Sequence, residues 1–115
     1  MEMIICDRDL KECCLIEKAV YDYYGGIPIL IHHCQDWEGL CTLIKEKQTD
    51  AVVIAQDGVV GLDIITGLKV PSGKLIWFSD LDFGVQAYRL GVSYFNKKPI
   101  TFDKVIHALK HIETS

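Results

Sequence analysis

"DAVVIAQDGVVG", residues 50–61, sets five apolar residues in a row between an aspartate and a Gln-Asp-Gly segment. A strand with one face in water alternates apolar and polar side chains. This run does not alternate, so it reads as a strand covered on both faces. "MIIC" (3–6) and "KLIWF" (74–78) read the same way, and "ILIHH" (29–33) and "SYFN" (93–96) complete a set of five. Helical patterns separate them. In 9–24, Leu10, Cys13, Ile16, Val20 and Tyr23 recur on one face. In 37–47, which Asp36 can cap, Trp37, Leu40, Cys41 and Ile44 do so. Shorter helices are predicted over 62–69 and over 82–90, the latter weakened by Gly84. Thr101 can cap a last helix over 101–112, and "GGIP" and "VPSG" mark breaks.

Five buried strands alternating with five helices require a parallel sheet with helices on both faces. Right-handed crossovers then favour a flavodoxin-like, doubly wound (βα)5 three-layer sandwich with strand order 2-1-3-4-5. The 115 residues make one domain, 1–115. The net charge of −4 argues against this domain gripping nucleic acid directly, since phosphate binding needs a basic face. No apolar run is long enough to span a membrane, and the acidic start lacks the basic region of a signal peptide. Five cysteines without a CxxC read as small hydrophobes in a reducing cytoplasm.

In such sheets function gathers beyond the carboxyl ends of the strands. There the sequence puts Asp7, Arg8 and Asp9 after strand 1, Ala55, Gln56 and Asp57 after strand 3, Ser79 and Asp80 after strand 4, and Lys97, Lys98 and Pro99 after strand 5. Carboxylates, a hydroxyl and an ammonium on one sheet edge suit phosphoryl transfer with Mg²⁺.

"IICDRD" and "FSDLDFGVQAYRLGVSYFNKKPI" resemble the response-regulator receiver domains of two-component phosphorelays, with a pattern nearest those of LytTR-type regulators. The resemblance implies Asp7 as an acidic-pair residue, Ser79 as the switch hydroxyl, Phe95 as the switch aromatic, Lys98 as the family lysine and a cis Lys98–Pro99 bond. It also implies Mg²⁺, a histidine kinase, and a partner or homodimer surface on helix 4, strand 5 and helix 5, where Tyr88 and Phe95 lie.

The departures matter as much. The family's second acid falls on Arg8 and its phosphoacceptor aspartate on Ala55. Arg8 would either pair with Asp7, Asp9 or Asp57 and mimic a bound metal, or point to solvent. Asp57 would either reach the pocket and accept phosphate, or lie in an ordinary turn. The two-residue offset along an extended chain favours the turn. Asp7 and Asp57 are the metal ligands only if Mg²⁺ binding persists.

Elsewhere the bland readings prevail. His107 and His111, four apart, suit a solvated helix face, and His32 and His33 point to opposite sheet faces. Trp37 and Trp77 read as core or rim packing. The sequence thus points to a pseudo-receiver, not an enzyme and without a cofactor, acting in the cytoplasm through protein–protein contacts as part of signal transduction or transcription regulation. One alternative is a live receiver phosphorylated on Asp57. Another is a nucleotide- or flavin-binding domain, which would need a Gly- or Ser/Thr-rich loop after strand 1, where "DRDLKE" stands instead.

Overall fold

The computed structural model describes residues 1–70 and 73–114. Five strands, β1 (Glu2–Cys6), β2 (Leu30–Cys34), β3 (Ala51–Ile54), β4 (Leu75–Ser79) and β5 (Tyr94–Lys97), form one parallel sheet in the order β2-β1-β3-β4-β5. Helices α1 (Leu10–Tyr23), α2 (Trp37–Glu46), α3 (Gly58–Gly67), α4 (Gly84–Arg89) and α5 (Phe102–Thr114) follow them in turn. This is the flavodoxin-like sandwich the alternation predicts.

The continuous apolar runs are explained by a core on each face. Every residue of β3 and β4 is buried. Met3, Ile5, Val53 and Phe78 pack under α1 and α5, against Ile16, Val20, Val105 and Leu109. Ile4, Val52, Ile54 and Trp77 pack under α2, α3 and α4, against Leu40, Ile64, Ile65 and Ala87. Trp77 is fully buried, stacked on Phe83 at 5.2 Å and edge-on to Phe95 at 5.0 Å. Burying a side chain of that size contributes about 3 kcal/mol.

Caps behave as the sequence suggests. Asp36 Oδ1 accepts from Gly39 N–H at 2.8 Å, and Thr101 Oγ1 accepts from Lys104 N–H at 3.2 Å. The Lys98–Pro99 bond is cis. Two helices differ from expectation. Helix α3 starts four residues before the predicted 62, because Gly58, at φ +61°, turns the chain into it at once. Helix α4 covers only Gly84–Arg89; its first N–H is taken by Asp82 Oδ1 at 3.1 Å, which stops it extending back to 82. The break at 70–73 lies partly outside the described residues, although Gly73 N–H donates to Val70 O at 2.9 Å.

Candidate functional site at the carboxyl edge

Asp7 follows β1 and is held in line by the ladder, its N–H donating to Cys34 O at 3.1 Å. It is 3% exposed. Oδ1 accepts the Asp9 N–H at 3.0 Å, while Oδ2 has no hydrogen-bond partner among the described residues. Burial, and then the neighbouring Glu12 carboxyl, push the Asp7 carboxyl up to about 7, against the lowering pull of the Asp9 N–H and Lys98. Asp9 caps α1, with Oδ1 accepting from Lys11 and Glu12 N–H at 2.9 and 3.2 Å.

Lys98, just past β5, is the hub. Its Nζ lies 2.7 Å from Glu12 Oε1 and 2.9 Å from Asp57 Oδ1. Burial alone would lower its pKa, but these two carboxylates outweigh that and hold the ammonium above its ordinary value. Ala55 lines the same pocket and is wholly buried, its N–H donating to Cys6 O at 2.9 Å. A methyl group therefore stands where the resemblance expects a nucleophile.

Asp57 does not lie in an isolated turn, as its offset had suggested. It occupies the N-cap position of α3, and its ion pair with Lys98 brings it to the pocket. The early start of α3 shortens the reach that an extended chain would impose. Gly61 makes this possible: a Cβ there would lie 2.2 Å from Gln56 O.

Six of the seven expected residues, Asp7, Arg8, Asp9, Ala55, Asp57 and Lys98, line one pocket of about 280 Å³. Ser79 does not. It is fully buried, its Oγ donating to Asp80 Oδ1 at 3.4 Å and accepting from Leu81 N–H at 3.2 Å. Asp80 Oδ1 in turn accepts the Gly58 N–H at 2.8 Å, tying the end of β4 to the start of α3. Arg8 forms no ion pair with Asp7, Asp9 or Asp57 among the described residues; its Nε donates to Gln35 O at 3.3 Å. Phe95 packs inward on Trp77, whereas Tyr88 is 87% exposed.

Glu12 was not singled out from sequence, and Gln56 and Asp80 were named only by their place at strand ends. Glu12 stands three residues after the cap Asp9, a spacing that suggests a helix-end role, yet it serves Lys98. Gln56 is 5% exposed, and its Nε2 donates to Gln35 O at 2.6 Å and to Cys6 Sγ at 3.7 Å. The only signal for it is a polar residue directly after a buried run.

The donors do not fit the Mg²⁺ that the resemblance implies. Mg²⁺ needs hard, ionised oxygens in near-octahedral array. Burial holds the Asp7 carboxyl up at about 7, Arg8 and Ala55 stand where the resemblance expects two donors, and Glu12 and Asp57 are paired with Lys98. No group of three or more metal-ligating side chains occurs among the described residues.

The remaining expectations fall as follows. His107 and His111 are exposed on α5. His32 and His33 diverge, to Glu2 and Glu17, each at 3.0 Å. Trp37 is 41% exposed, at the rim. Cys6, Cys13 and Cys34 are buried, but Cys14 is exposed and Cys41 half-buried, so the reading of the cysteines as core hydrophobes holds for three. Among the described residues no helix is long and apolar enough to cross a membrane.

No family model matches the chain, and no curated protein matches it. Solved structures do. A response regulator from Thermotoga maritima superposes with a TM-score of 0.79 over 99% of this chain and 98% of its own, at 16% identity. The chemotaxis response regulator CheY4 of Vibrio cholerae gives 0.77 over 96% and 97%, at 8% identity. A CpaE2 pilus assembly protein from Sinorhizobium meliloti gives 0.75 over 97% and 99%, at 15% identity. The chain thus has the flavodoxin-like fold of these response regulators, which the pilus assembly protein also adopts.

Proposed function

We propose that this chain is a pseudo-receiver: a signal-transduction module that acts through protein–protein contacts without being phosphorylated. One observation carries the reading, the buried methyl of Ala55 where an orthodox receiver needs its carboxylate. The Glu12–Lys98–Asp57 cluster supports it. The lysine that would meet a phosphoryl group already has two anionic partners. In this reading the domain is no enzyme, takes no cofactor, and works in the cytoplasm, alone or as the regulatory end of a transcription regulator. The partner face is α4, β5 and α5. Val85 and Tyr88 on α4 are exposed, with Leu81 just before the helix. A homodimer or a protein of the same pathway would cover this apolar face.

A second reading has an observation of its own. Asp57 Oδ1 is 2.9 Å from Lys98 Nζ, the relation a phosphoaccepting aspartate needs, and Asp57 is open to solvent. A histidine kinase would then be the donor. Intact mass after incubation with acetyl phosphate and Mg²⁺, with Asp57→Asn in parallel, separates the two. The pseudo-receiver reading expects no mass change in either protein. One added phosphoryl group, absent from the variant, overturns it in favour of Asp57.

A further inference from the structure

We infer that Cys6 and Cys34 form a paired-thiol site that closes to an intramolecular disulfide when the folded protein meets a peroxide-class oxidant. The inference does not depend on the functional reading above.

The pairing follows from strand register. Cys6 ends β1, Cys34 ends β2, and the two are Cα partners in the parallel ladder. Partnered residues on adjacent strands point to the same face, and both sulfurs lie in the core beneath α2. Neighbouring strands run about 4.8 Å apart, inside the roughly 4.4–6.8 Å between Cα atoms that a disulfide spans. Cys34 Sγ is turned back towards β1, donating to Ile5 O at 3.9 Å, one residue before Cys6. Closure needs the Cβ atoms drawn together, and β2 can yield because it is an edge strand, bonded only to β1.

Two buried cysteines can be mere hydrophobes, but Gln56 speaks against that here. A core built only for packing would not aim a buried amide at a sulfur, yet Gln56 Nε2 donates to Cys6 Sγ. Gln56 also lines the carboxyl-edge pocket, so Cys6 lies one side chain beneath an open pocket. No other cysteine shares this arrangement. Cys13 donates to Asp7 O at 3.6 Å, Cys14 is exposed on α1, and Cys41 sits on α2.

The chemistry balances with peroxide as oxidant. The Cys6 sulfur gives an electron pair to one peroxide oxygen, the O–O bond breaks, and hydroxide leaves with the thiol proton as water. The Cys34 sulfur then attacks the sulfenic sulfur, the S–S bond forms, and the second oxygen leaves as water with the second thiol proton. Two thiols lose two electrons and peroxide gains them. The link would act where the site is most sensitive. Cys34 O takes the Asp7 N–H, and the next carbonyl, Gln35 O, holds both Arg8 and Gln56.

The test uses the full chain with Cys14→Ser and Cys41→Ser, which leaves three thiols. The folded protein is treated with hydrogen peroxide, quenched, and labelled with a maleimide in denaturant. Mass spectrometry is expected to show one label in place of three, a peptide link between Cys6 and Cys34, and full return of labelling after reduction. Adding Cys34→Ala should abolish the link. If that protein fails to fold, Cys13→Ala serves instead and should keep the link. Three labels after peroxide, a link that includes Cys13, or a link that forms only in urea would overturn the inference.

Discussion

Lys98 Nζ lies 2.7 Å from Glu12 Oε1, joining the end of β5 to the first turn of α1 across 86 residues of sequence. With Asp57 on its other side, the ammonium is what keeps three acids of one pocket compatible. Lys98→Met should therefore cost more than the loss of an exposed ion pair. We expect a destabilisation of about 2 kcal/mol, because the partly buried Glu12 carboxylate is left unpaired. Urea unfolding midpoints measure it, and a cost no larger than that of a surface pair would show that Lys98 is dispensable to the site.

Asp7 makes stability depend on pH. Its folded pKa of about 7 lies above its ordinary 3.8, so the folded state holds the proton more tightly than the unfolded chain. The sign follows: this contribution is whole below about pH 4 and is lost as pH rises through about 7. Asp7→Asn keeps an oxygen for the Asp9 N–H but cannot ionise. It should be more stable than the parent by about 2 kcal/mol above neutrality, with the gap closing towards acid. Melting temperatures across that range check it. A gap independent of pH would contradict the assignment.

Ala55→Asp restores a carboxylate beside Asp7. With no bound cation the pair should repel, lowering the melting temperature by several degrees in chelator. Millimolar Mg²⁺ should recover most of the loss, while leaving the parent protein unmoved. A parent that responds equally to Mg²⁺ would mean the existing donors suffice.

Gly61→Ala tests how Asp57 reaches the pocket. The new Cβ would meet the Gln56 carbonyl at 2.2 Å, and backbone cannot move aside cheaply. A loss of about 3 kcal/mol is expected in urea unfolding, against a few tenths for alanine at an unconstrained position.

Tyr88→Ala should leave unfolding free energy within about 0.5 kcal/mol of the parent, because the ring is 87% exposed. Its effect should appear only in association, read by sedimentation or partner binding.

The fold was legible because its strands are written as unbroken apolar runs, and "AVVIA" and "LIWF" are buried at every position. The site was legible only as a set of strand ends. That Asp7 and Lys98 share one pocket could be read from topology, but that Asp57 joins them, and which atoms pair, could not. Periodicity could not show that α3 begins at Gly58, since its first residues are apolar on all sides and one of them is a glycine with positive φ. The partners of Arg8 and Ser79 could not be read for a related reason. Each takes a local carbonyl, carboxylate or N–H partner supplied by a neighbouring loop, and sequence spacing does not encode loop direction.

The Gly58 N–H, the leading donor of α3, is already satisfied by the Asp80 carboxylate. A helix begins with a partial positive charge that attracts anions from solution. Here the protein has spent that attraction on its own β4–α4 loop. An incoming anion would have to evict a tethered rival at very high local concentration, so the front of α3 behaves as a seat already taken.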